Sequence, residues 1–160
     1  MATQAAGVPR DVTRYTQFLK TGEPGPHSYT VLLGLEYFDL PGVLKAVEKG
    51  FPWKAFDRLA ANMDMTADGV ADMIGIPQRT LARRKSEKVF TADESDRLLR
   101  AARVFAKALR LFDGDRDAAV EWLTTLKIAL GAAPVTLMSS EVGAREVERV
   151  IGALEHGIFL

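Results

Sequence analysis

Six residues in one short stretch carry the clearest chemical potential of the chain: Gln78, Arg79, Thr80, Arg83, Arg84 and Lys85. Guanidinium and ammonium groups neutralise phosphates, and an amide or a guanidinium reads base edges through paired hydrogen bonds. Gathered on one helix, these residue types point to DNA. Nothing comparable exists for catalysis. His27 lies in a Gly/Pro-rich segment, and His156 stands one residue before a helix-stopping glycine, where it suits a helix C-terminus better than the role of a base. Asp113, Asp115 and Asp117 superficially match a calcium loop, but the sixth position from Asp113 is Ala118 instead of glycine and the twelfth is Thr124 instead of glutamate. Their carboxylates read as a turn and a helix N-cap, not as a paired acid–base site. The absence of cysteine excludes thiolate catalysis, disulfides and cysteine-ligated zinc. A binding protein is expected, with no catalytic residue, no cofactor and no metal.

The elements that must present the six residues are legible. Thr66 can cap a helix whose inward positions are Val70, Ala71 and Ile74. Gly75 supplies a turn, Pro77 opens a second helix, and Leu81 points back toward the first. Two short helices crossing steeply about a glycine turn form the layout of a DNA-binding helix-turn-helix over residues 66–85. Upstream, Asp39 and Pro41 open a helix with Val43, Leu44 and Val47 inward and Gly50 as its stop. Pro52 opens another with Phe56, Leu59, Ala60 and Met63 inward. The apolar run from Tyr29 to Leu35 fits either helix or strand, and residues 1–28, rich in Gly, Pro and Thr, read as a mobile arm.

Downstream, Thr91 and Glu94 form a capping box that starts the longest helix, reaching about Phe112. Leu98, Ala102, Phe105, Leu109 and Phe112 make its apolar stripe. Arg97, Arg100, Arg103, Lys107 and Arg110 make a second stripe, along roughly 30 Å of helix, open to a phosphate backbone, to solvent or to a partner. A helix over 117–127 with Val120, Trp122, Leu123 and Leu126 follows, then a short turn opened by Pro134. The last helix runs from about Gly143 to Glu155, with Val147, Val150, Ile151 and Leu154 inward. The fold class is all-α.

Net charge is zero over 160 residues, yet it is segregated. Residues 79–110 hold ten Lys/Arg against four Asp/Glu, whereas 1–78 hold seven against nine and 111–160 four against eight. A basic zone between acidic flanks fits a DNA-facing module joined to one of different use. The chain has no signal-peptide-like or membrane-length apolar run, and a cytoplasmic protein is expected. It closes on Ile158, Phe159 and Leu160, three apolar residues that either fold back on the core or fill a partner's pocket.

The run GIPQRTLARRK, followed by ESDRLLRAARVFAKALRLF, AAVEWL, LGAAPVTLM and GAREVERVIGALEHGIF, resembles the Xre/MbcA/ParS-type antitoxins that accompany RES-domain toxins. The resemblance spans roughly residues 40–160. Arg79, Thr80, Leu81, Arg83, Arg84 and Lys85 match the family's basic run, and Glu94, Ser95, Arg97 and Leu98 its E-S-x-R-L. Trp122 and Leu123 match its W-L, and Leu130, Gly131 and Pro134 its L-G-x-x-P, although the family often carries a second glycine where this chain has Ala132. The resemblance implies a helix-turn-helix (Cro/C1-like) domain over 29–90 that binds operator DNA, and a helical toxin-binding and dimerisation domain over 91–160. It implies a cognate RES-domain, NAD-depleting toxin as partner, with Glu155, His156, Gly157, Ile158, Phe159 and Leu160 entering its cleft and Arg145, Glu148 and Arg149 forming a polar rim. A homodimer is expected, through the long helix and the C-terminal domain. The competing reading is a stand-alone dimeric helix-turn-helix repressor without a toxin partner.

Overall fold

The computed structural model describes residues 7–158, and within them every regular element is helical. Eight α-helices follow one another: α1 (Arg10–Thr21), α2 (Leu40–Lys49), α3 (Trp53–Met63), α4 (Ala67–Ile74), α5 (Gln78–Glu87), α6 (Ala92–Leu111), α7 (Arg116–Thr124) and α8 (Glu141–Glu155). Two 3-10 segments, Ser28–Leu33 and Pro134–Leu137, complete the set. Side-chain caps fix most starts. Asp39 accepts from the Gly42 amide at 2.8 Å, Thr66 from Gly69 at 3.0 Å, Asp115 from Ala118 at 3.1 Å and Ser140 from Gly143 at 3.0 Å. At α6 the capping box is reciprocal, the Glu94 amide donating to Thr91 and the Thr91 amide to the Glu94 carboxylate.

The core is organised around α6, which packs on α1, α2, α3, α4, α7 and α8. Leu98, Ala102, Val104, Phe105, Ala108 and Leu109 are fully buried along it. Such a helix, apolar over more than one stripe, must be wrapped by others. Beside it Trp53 stacks on Phe56 at 4.8 Å and on Phe90 at 5.5 Å between ring centroids. Phe90 is brought there by a short antiparallel pairing: its amide donates to the Phe51 carbonyl, and the Trp53 amide donates to the Lys88 carbonyl, both at 2.9 Å. The end of α5 is thereby tied to the start of α3. Gly143 sits so close to the Leu137 carbonyl that any side chain there would collide with it. No helix among the described residues is long and apolar enough to cross a membrane.

Two expectations are corrected, and one open choice is decided. Residues 1–28 are not an arm throughout, because residues 10–21 form α1, which buries Val12 and Tyr15 against the core. The apolar run after it, which fits helix or strand by its sequence, is helical: a buried 3-10 segment. Leu44, expected inward on α2, is 57% exposed, and Ala46 takes the buried position beside Val43.

α1 is fastened by a buried carboxylate. Asp11 accepts from Arg58 Nε at 2.8 Å and from Asn62 Nδ2 at 2.9 Å, and it pairs with a terminal nitrogen of the same guanidinium. Burial works to raise the Asp11 carboxyl, but the hydrogen bonds from Arg58 and Asn62 outweigh it and hold the group below its ordinary value. Burial also pushes the Tyr15 phenol up to about 12. Asp11→Ala is expected to destabilise the protein by about 1–3 kcal/mol, because Asn62 and one side of Arg58 lose a charged acceptor. Denaturant unfolding of the variant beside the parent measures this.

Candidate functional site

The helix-turn-helix is built from α4, Gly75 and α5. Gly75 has φ 73°, the left-handed conformation that ends α4 in a tight turn. Ile74, Ile76 and Leu81 close the apolar side between the two helices. The turn is held from behind as well, since Arg97 of α6 donates to the Gly75 carbonyl at 3.0 Å. With the Phe51–Phe90 pairing at its far end, α5 is clamped at both termini.

On this scaffold Gln78, Arg79, Arg83 and Lys85 are exposed. Arg79 and Arg83, one turn apart, share a face, and Gln78 and Lys85 lie on the adjoining one. None of Arg79, Arg83 and Lys85 has an ion-pair partner among the described residues. Thr80 is half-buried. Arg84 departs from the outward position expected for it: its side chain is only 12% exposed. Its Nε donates to Glu94 at 2.6 Å, and another guanidinium nitrogen donates to Glu87 at 3.0 Å. Arg84 therefore welds α5 to the N-terminus of α6. One cation was missed. Lys88, the residue that caps α5 with φ 70°, is exposed as well. The lone signal for it was its place immediately after a basic helix.

The second basic stripe has a different fate. Arg97 pairs with Asp93, and Arg100 with Asp96 and with Glu141 at 3.0 Å. Arg103 and Lys107 both reach Glu148, at 2.7 and 2.6 Å, and Arg110 reaches Glu155 at 3.4 Å. Glu141, Glu148 and Glu155 recur every seventh residue on α8, so they share one side of it and meet α6 in order. The stripe is thus a ladder joining two parallel helices. Glu148, expected on a toxin-facing rim, is turned inward and its side chain is 15% exposed. Glu155 likewise faces α6. Arg145 and Arg149 are exposed, paired locally with Glu141 and Glu146. His156, Gly157 and Ile158 are exposed beyond α8, while Phe159 and Leu160 lie outside the described residues.

Burial works to raise Glu148, but the hydrogen bonds of Lys107 and Arg103 win and lower it. At Glu94 the same contest is won by Arg84 and the Thr91 cap. Glu141 is lowered first by its bond from Arg145. No group of three or more metal-ligating side chains occurs among the described residues.

Two family models match the chain. Residues 42–103 match one described as the antitoxin Xre-like helix-turn-helix domain. Residues 107–157 match one described as the antitoxin Xre/MbcA/ParS C-terminal toxin-binding domain. The two matches meet inside α6. Among curated proteins, one named Antitoxin Xre from Yersinia enterocolitica is 35% identical over 119 residues, covering 73% of this chain and 80% of that protein. Another of the same name from Photorhabdus laumondii is 35% identical over 120 residues, covering 74% and 81%. A third, from Pseudomonas putida, shares 34% over 84 residues, about half of each chain (51% and 52%).

Arg84→Ala should destabilise the protein by about 1–3 kcal/mol by leaving the Glu94 carboxylate buried without its partner, whereas Arg83→Ala should stay within about 0.5 kcal/mol. Thermal or denaturant unfolding of the two variants separates a structural arginine from a free one. The lowered carboxylates also set the acid limit. Their folded-state values lie below their ordinary ones, 3.8 for Asp11 and 4.5 for Glu94, Glu141 and Glu148. The stabilisation is therefore complete above those values and is lost as pH falls through the folded ones. Urea midpoints should stay level from pH 7 to about 5 and drop below about 4.5, and Glu148→Gln should flatten the drop.

Proposed function

The chain belongs to the Xre antitoxin family, and from that premise we propose that it neutralises a cognate RES-domain toxin through its C-terminal half and represses its own operon through α5. The observation that carries this reading is the pairing, in one chain, of the matched helix-turn-helix and toxin-binding domains. The free cations Arg79, Arg83, Lys85 and Lys88 on the first of them support the operator role, since they are the groups that neutralise phosphate and read guanine. In this reading the closing residues, Ile158 to Leu160, enter the toxin's cleft and keep NAD from it, with His156 and Gly157 leading in and Arg145 and Arg149 at the rim. The antitoxin itself needs no cofactor and performs no catalysis. It works in the cytoplasm as a homodimer, because one α5 offers a short reading surface, whereas two copies address half-sites about 34 Å apart.

The two activities separate by mutation. Arg79→Ala and Arg83→Ala should each weaken operator binding by about 1–3 kcal/mol in a mobility-shift titration while still rescuing cells that express the toxin. Deleting Ile158–Leu160 should do the reverse: rescue is lost and operator affinity is unchanged. A truncated protein that still rescues overturns the entry of the tail into the cleft. A full-length protein that binds the operator but never rescues would be a stand-alone repressor.

A further inference from the structure

The turn between α7 and the second 3-10 segment holds the most exposed large apolar side chain of the described residues: Ile128, 94% accessible. The turn is rigidly built. The Lys127 amide donates to the Ala132 carbonyl at 3.1 Å, and the Lys127 carbonyl accepts from Leu130 at 3.0 Å and from Gly131 at 2.9 Å. Ile128 stands at its tip beside a groove of about 330 Å³ lined by Trp122, Leu126, Val150 and Leu154. Leu126 is itself well exposed, and Lys127 lies over the Trp122 ring at 5.4 Å. An aliphatic side chain held this far into water beside an apolar groove marks a contact surface, because neither local folding nor the core gains from it.

We infer that this groove is the anchoring surface for the toxin, receiving an apolar ridge of that protein with a carboxylate beside it. The inference rests on the antitoxin reading above and adds a contact to the α8 rim and the tail. Two observations select the toxin as occupant. Every lining residue falls within the matched toxin-binding domain. And the charges of α8 that were expected to supply the contact, Glu148 and Glu155, are turned onto α6 by the ladder. The groove has the composition of a binding hot spot: an indole in a pocket, aliphatic walls and a polar edge. Lys127, held over the indole, supplies that edge and favours an acidic neighbour on the partner. Because the turn is preorganised, little ordering is required on binding.

Ile128→Asp tests this without endangering the fold, since the side chain touches almost nothing. The full-length chain is tagged and used to capture an inactive variant of the RES-domain toxin encoded in its own operon. Leu44→Asp, at an exposed apolar position of α2 outside the matched toxin-binding domain, serves as control. Ile128→Asp is expected to weaken capture by about 30-fold or more, with capture by Leu44→Asp and the free-chain mass unchanged. If the unaltered chain captures toxin and Ile128→Asp captures it equally well, the groove assignment falls while the antitoxin reading stands. If the unaltered chain captures none, the antitoxin reading itself fails. If Ile128→Asp lowers the mass of the free chain, the groove is a contact between copies and the assignment to toxin is overturned.

Discussion

Five cations run along one side of α6, a helix buried over much of its remaining surface, and the carboxylates that meet them set the register of its neighbour α8. Arg97 is met by Asp93 on its own helix, and Arg100 by Asp96 as well as by α8. Among the described residues the others are met by α8 alone, through Glu148 and Glu155. A seven-residue repeat drifts by about 20° on a straight helix, so three carboxylates at that spacing can face a single neighbour over four turns. This fixes α8 parallel to α6, which in turn requires α7 and the turn after it to carry the chain back along the length of α6. The connection that displays Ile128 is a product of that return.

The same ladder decides what charge segregation leaves open. Ten cations against four anions over residues 79–110 fit a DNA-facing zone, with the α6 stripe open to phosphate, solvent or a partner. Segment charge reports only what lies nearby in the chain, whereas Glu141, Glu148 and Glu155 arrive from more than thirty residues away. Once they are in place, the unpaired cations shrink to a short cluster on α5 and its end. Arg84 failed for a related reason. Its neighbours in sequence are free, but at its own position on the helix it turns toward Glu94, whose carboxylate also closes the α6 cap.

Local signals were otherwise informative. Asp39, Thr66, Asp115 and the Thr91–Glu94 box each start the helix that their types and spacing announce, and Gly75 makes the turn that glycine is needed for. These features depend on residues within a turn or two of one another, so a linear reading can find them. α1 is hidden in the composition because Gly/Pro-rich residues surround it, even though Val12, Tyr15 and Leu19 show a helical period. What secures it, the Asp11 contact with Arg58 and Asn62, joins distant parts of the chain and leaves no local mark. Leu44 is the opposite case: residue type alone points it inward on a well-capped helix, but its angular position falls outside the stripe set by Val43 and Ala46.

The continuity of α6 sets the phase between the two halves of the molecule. Its first turns close the back of the helix-turn-helix, its last turns carry α8, and the boundary between the matched domains lies within its hydrogen-bonded interior, not in a linker. Each residue of an α-helix advances the chain by about 1.5 Å and turns it by about 100°. Gaining or losing one residue in α6 would therefore swing α5 a quarter turn or more around the axis relative to the Ile128 groove, and would move Arg110 off Glu155. α5 and the far surface are geared together on a single shaft, whose phase survives a change of length only where whole repeats restore the angle.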